Sequence, residues 1–235
     1  MHTRLDHIVI AATDMERGVA WAEKTLGVRV PRGGVHETMG TRNHVMRIGE
    51  EMFLEVIAIN PDGPIPAKPR WFGLDDPFVR ERLDRSPAFL AWVVNTDDLD
   101  AFLGAAPVSF GQATPISRGE LNWRFALPSD GRLLASGMLP YAIQWQAGPH
   151  PALAMPDLGC RLLGLDIHHP YPEWLGSVLD AVGPVDMVEV HPLPPMEPPR
   201  MTARIDTPEG VRLLETLPGR CGCTPRRDQR AGRLY

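Results

Sequence analysis

A histidine and a glutamate set in two apolar runs are the residues of this chain best placed to do chemistry. His7 lies in LDHIVI and Glu55 in FLEVIAI. Glu55 stands 48 residues after His7, and the same interval separates Glu215, in LLETLP, from Ile167, in LDIHHP. An unpaired carboxylate taken out of water costs several kcal/mol, so Glu55 needs a histidine, an arginine, a backbone donor or a cation beside it. Three uses fit. A cation is held beside it; Glu55 acts alone as a general base; or a His7–Glu55 hydrogen bond only holds the framework.

The segment from Gly33 to His44 is the second concentration of reactive side chains. It packs three glycines, two histidines, two threonines, Arg42 and Asn43 into one stretch that can turn sharply and present backbone amides. His36 is the catalytic candidate here, with Asn43 and Thr41 as substrate contacts; a plain solvated turn is the competing reading. Neither GxxxxGK[ST] nor GxGxxG occurs, so this is no phosphate loop. Trp92, Arg124 and Gln144, in strand-like segments of the middle of the chain, complete the binding set, with Arg124 an anion receptor if it faces inward. Trp71, Phe72, Asp75 and Asp76 in WFGLDDP read either as a lid or as a packing plug followed by a helix cap. Three cysteines form no disulfide framework, and Cys221-Gly-Cys223 lacks the further ligands of a metal site.

The elements that must position these groups repeat. A strand from Leu5 to Ala11 is followed by Thr13-Asp14-Met15-Glu16, a capping box, and then by Met15, Val19, Ala22 and Leu26 at helical spacing with Gly27 as the C-cap. Val28–Val30, Asn43–Ile48 and Met52–Ile59 follow as strands, giving βαβββ. The middle segment repeats the order less cleanly: Phe89–Val94, a helix capped by Asn95 or Thr96 and running to Phe102, then strands near Leu121–Leu127 and Tyr141–Trp145. The third has Arg161–Ile167, a helix from Pro172 to Val182, and strands near 186–190, 201–205 and 211–217. Prolines, 25 in all, cluster between these segments, where helix interiors and central strands are excluded.

Composition is that of an ordinary globular chain: 235 residues, 43% hydrophobic, 23% charged, formal net charge -5. The tail from Pro218 carries five arginines against one aspartate and reads as disordered, leaving the rest at -9. No nucleic-acid partner is implied, and no apolar run approaches the ~20 residues of a membrane helix. A cytoplasmic location is expected, since no signal-peptide pattern opens the chain.

Modules of this order, with a His on the first strand and a Glu on the fourth, resemble the vicinal oxygen chelate superfamily, which includes glyoxalase I, extradiol dioxygenases and bleomycin-resistance proteins. LDHIVI, GGVHETMGTRN, FLEVIAI and WFGLDDP are similar to its glyoxalase-like domain proteins. The resemblance implies an α+β fold of tandem βαβββ modules forming cupped mixed sheets, with a small-molecule site inside the cup. Residues 1–147 would form a two-module domain, 148–159 a linker and 160–217 a third module, whose unpaired half-cup invites a homodimer. It further implies a divalent metal, Zn, Ni, Mn or Fe, on first and fourth strands. His7 and Glu55 match that pattern. The second module departs from it, with Ala91 and Gln144 at the corresponding places; the third keeps Glu215 but has Ile167, and His169 lies two residues along the same face. Isomerase or lyase chemistry on an oxygen-rich metabolite is the implied function, ahead of dioxygenase chemistry. The alternative is a non-catalytic protein that sequesters a small molecule, of the drug-resistance type.

Overall fold

The computed structural model describes residues 2–183 and 185–216; the expected basic tail and the Cys221-Gly-Cys223 pair lie outside them. Strand β1 (Thr3–Ala12) is buried almost throughout because both of its faces are apolar. It feeds α1 (Met15–Leu26), whose buried stripe is the expected Met15, Val19, Ala22 and Leu26. Asp14 rather than Thr13 caps this helix, accepting the Arg17 backbone N–H, and Gly27 closes it at φ 74°. Next come β2 (Arg32–His36), β3 (Thr41–Arg47) and β4 (Phe53–Ile59). β2 lies beyond the expected Val28–Val30, because Pro31 has no N–H to give a ladder and Val30 turns into the core.

The second unit is preceded by α2 (Pro77–Arg85) and consists of β5 (Ala88–Thr96), α3 (Leu99–Ala105), β6 (Gln112–Arg118), β7 (Leu121–Leu127) and β8 (Tyr141–Trp145). Asp98, not Asn95 or Thr96, caps α3. These eight strands form one sheet in the order β2-β3-β4-β1-β5-β8-β7-β6. β1 runs parallel to β4 and β5 parallel to β8, while β1 and β5 join the halves antiparallel. One face, with Ile8, Ile10, Leu54, Val56, Trp92 and Val94, packs on the helices. The other curls into a cup lined by Val9, Ile57, Val93, Phe125, Tyr141 and Ile143. The α2 region, with Trp71 and Phe72, fills part of that cup, and the stretch around Ala152 and Met155 packs on Val45 and Phe53.

The third unit, β9 (Arg161–His169), α4 (Pro172–Ala181), β10 (Val188–Pro192), β11 (Arg200–Thr207) and β12 (Gly210–Glu215), keeps the βαβββ order. Its pairing is different: the sheet runs β10-β9-β11-β12. After the α4 crossover β10 takes the parallel place beside β9 that β4 holds beside β1, which pushes the β11–β12 hairpin to the far side. Glu215 is therefore exposed on an edge strand that does not pair with β9, so its shared interval with Glu55 does not make it a counterpart in space. The apolar face of this sheet, with Leu165, Ile167, Met201, Ala203 and Ile205, joins the core on the helix side of the large sheet. The apolar face of the third unit is thus covered within the chain, while β10 and β12 remain the edges of its sheet. No helix among the described residues is long and apolar enough to cross a membrane.

Candidate functional site

Strand alternation would send Asp6 and His7 to opposite faces of the large sheet. A register shift between Leu5 and His7 in the β1–β5 ladder prevents this, so that the two side chains meet: His7 Nδ1 lies 2.5 Å from Asp6 Oδ1. The other Asp6 oxygen accepts Trp145 Nε1–H at 2.7 Å and bonds His150 Nε2 at 2.9 Å. His150 Nδ1 accepts the Ala152 backbone N–H, so its Nε2 carries the proton given to Asp6. Burial raises the Asp6 pKa, but hydrogen bonds from His150 and His7 and the electrostatic attraction of the two rings outweigh it and bring the value down to about 2. An ionised Asp6 only accepts, so the His7 proton sits on Nδ1 and Nε2 is left facing the cup.

Glu55 occupies the fourth strand opposite. Its Oε2 is 3.9 Å from His7 Nε2, too far for the framework hydrogen bond, and its Oε1 accepts Asn43 Nδ2–H at 2.6 Å. The Asn43 carbonyl oxygen in turn accepts the Gly34 N–H at 2.8 Å, which fixes the amide's orientation. Gly33 makes this approach possible: a Cβ there would stand 2.4 Å from Asn43 Oδ1.

His36 sits at the end of β2, edge-on to Trp71. Arg118, from the far edge strand β6, donates from Nη1 to His36 Nε2 at 3.1 Å, which leaves His36 Nδ1–H to reach Thr41 Oγ1 at 3.1 Å. Burial, the Arg118 charge and then His7 press the His36 pKa down to about 3, so the ring is neutral. His7, His36, Asn43, Glu55, Trp71 and Arg118 all line one cavity of about 40 Å³. Trp123 and Trp145, 5.3 Å apart, line both this cavity and an outer one of about 590 Å³.

Of the residues singled out in the sequence, His7, Glu55, His36 and Asn43 are brought together here, with Thr41 behind His36. Trp92 is not. It is fully buried on the helix face, its indole N–H held by Met138 O, because Ala91 and Val93 take the cup positions of β5. Arg124 and Gln144 also point away from the cup floor: Arg124 pairs with Asp100, and Gln144 bonds the Leu99 N–H and Asp97 O at the start of α3. Both border the outer cavity and neither lines the inner one. The register also corrects the second-module match, since Val93 pairs with Tyr141 as Val9 pairs with Glu55, placing Tyr141, not Gln144, at the Glu55 position. Trp71 and Phe72 pack inside the cup as a plug. Asp6, Arg118 and His150 join the site from outside the sequence reading, His150 from the stretch read as a linker, while Trp123 and Trp145, whose strand positions suggest core, line the cavities instead.

The cup offers a metal two ligand atoms, His7 Nε2 and Glu55 Oε2, because Arg118 engages His36 Nε2. That falls short of the three protein ligands of a catalytic zinc site. Among the described residues the one group of three is Asp166, Glu189 and His191 on the outer face of the small sheet, where Arg204 already pairs with Asp166.

Two βαβββ halves closed around a cavity of this kind define the vicinal oxygen chelate fold. A family model for the glyoxalase-like domain matches residues 5–183, and the chain belongs to that family. A hypothetical protein from Staphylococcus aureus is similar in structure, with 12% identity over 94% of this chain and 87% of that one at a TM-score of 0.54. Methylmalonyl-CoA epimerase from Mycobacterium tuberculosis matches 62% of this chain and 89% of its own, with 20% identity and a TM-score of 0.39. A variant of 4-hydroxymandelate synthase from Streptomyces coelicolor matches 94% and 66%, with 16% identity and a TM-score of 0.47. A search of curated proteins found no match.

Proposed function

We propose that this chain is an enzyme of the isomerase or lyase kind that moves a proton on a small oxygen-rich metabolite held in the cup. The observation that carries the reading is the facing pair of Glu55 Oε2 and His7 Nε2, 3.9 Å apart at a buried cavity, each held from behind by a separate partner. Glu55 takes a proton from the carbon beside a carbonyl; the electron pair of that C–H bond becomes a C=C bond and the carbonyl π pair moves onto oxygen, giving the enolate. His7 Nε2, on the other side of a substrate seated between the pair, takes up the proton with Asp6 balancing the imidazolium charge and delivers it to the enolate carbon; the C=C pair becomes the new C–H bond as the carbonyl re-forms, leaving Glu55 a carboxylate and His7 neutral. No step depends on a metal.

A binding protein without chemistry is the second reading. Ala91 and Tyr141 stand where the second half would match His7 and Glu55, and Tyr141 is committed to Arg132 O. The two readings separate in heavy water, with a panel of 2-oxo acids and α-hydroxy ketones followed by proton NMR. The enzyme reading expects deuterium to enter beside the carbonyl and Glu55→Gln to slow this by roughly 10²–10⁴-fold. Ligand-induced stabilisation with no deuterium entry from any compound would leave only the binding protein.

A further inference from the structure

The cavity has two chemically different ends. Glu55 and His7 make one. At the other, Arg118 brings a guanidinium from β6 across to His36 and Asn43, with Nη1 3.1 Å from His36 Nε2 and 3.5 Å from Asn43 Oδ1. Both of those acceptors are neutral, and among the described residues no carboxylate lies within ion-pair reach of Arg118; the Asn43 amide stands between it and Glu55. A half-buried cation on the cavity wall with only neutral partners calls for an anion with two acceptor oxygens, which a guanidinium binds side by side.

A second, independent group asks for the same thing. Trp71 is 4% exposed, lines the cavity, and its Nε1–H is buried without an acceptor. Buried N–H donors are rarely left unpaired, because each costs about 1–3 kcal/mol. The inner cavity, at about 40 Å³, has room for a headgroup the size of a carboxylate and little more. Anything attached to that head must pass the Trp123–Trp145 pair into the outer cavity of about 590 Å³, where Pro115 and Ile116 add apolar wall.

We infer that the ligand of the cup is a small carboxylic acid, its carboxylate held by Arg118 and the Trp71 indole N–H and its planar or apolar tail lying in the mouth beside Trp123 and Trp145. This deepens the reading above and rests on the cup being the site. It places the carbon next to the carboxylate between the two ends, within the span that separates Arg118 from Glu55 through one asparagine.

The test uses the full chain and two probes of equal shape, phenylacetate and its uncharged counterpart phenylacetamide, by titration calorimetry. The inference expects phenylacetate to bind at least tenfold more tightly, Arg118→Met to erase that difference, and Glu55→Gln to preserve it. Arg118→Gln, which keeps a polar head, serves if the methionine variant does not fold. Equal binding of acid and amide by the wild type, survival of the preference in either Arg118 variant, or binding of neither probe would overturn it. The two proposals fail separately: deuterium entry without acid preference removes only this inference, and acid preference without deuterium entry removes only the proton-transfer reading.

Discussion

Asp6 receives three N–H groups on two oxygens, and that crowding decides the chemistry of His7. With Asp6 ionised, His7 has one available neutral tautomer. Nitrogen-15 NMR of the histidine rings should show the Nδ1–H tautomer for neutral His7, and Asp6→Asn should lose that signature together with roughly 10²-fold or more in rate. His36 supplies a pH test. Its folded value of about 3 lies below the ordinary 6.5, so the stability it contributes is complete above pH 6.5 and is lost as pH falls from there through about 3. Denaturant midpoints taken between pH 7.5 and 5 should therefore fall more steeply for wild type than for His36→Gln; parallel curves would contradict the assignment. Most of the first-half site is legible in the sequence, because His7, His36, Asn43 and Glu55 lie within one short module of clear periodicity. Asp6 is not, since alternation assigns it to the wrong face and only the bulge turns it. Arg118 and His150 reach the site across 82 and 144 residues, a distance over which spacing carries no information.

At the scale of elements, α1 is the best determined, because a cap, a 3.6-residue stripe and a C-cap glycine agree. Gly18 lets that helix sit close on the sheet: a Cβ there would meet Ala12 Cβ at 2.9 Å and Val56 Cγ1 at 3.0 Å. Gly18→Ala should destabilise the protein by about 1–3 kcal/mol, less the gain of up to ~1 kcal/mol in helix propensity, in denaturant unfolding. An unchanged or raised midpoint would mean that α1 can lift off without cost. Strand β6 escapes a sequence reading because QATPISR is an edge strand, where Pro115 is tolerated and only Ile116 is buried. The Gly33-Gly34 stretch belongs to an irregular β2 rather than to a free turn, which is what lets it hold Asn43.

For the whole molecule, the βαβββ order was readable in the first and third units and, β6 apart, in the second, but the pairing of the third was not. Strand order along the chain does not say which edge a hairpin takes, and β10 and β11 both compete for β9. The small sheet shares one core with α1 and the large sheet, so both should unfold together. Ile205→Ala, at a fully buried position, should cost about 2–5 kcal/mol and lower a single calorimetric transition; two separated transitions would show that the sheets are independent. The account as a whole holds that proton transfer and carboxylate recognition occupy the same cup. Its most direct test is deuterium entry catalysed by the wild type on a compound the screen identifies, repeated with rising phenylacetate. Phenylacetate seated on Arg118 should slow the exchange competitively, with an inhibition constant equal to its calorimetric Kd; exchange undiminished at saturating phenylacetate would contradict it.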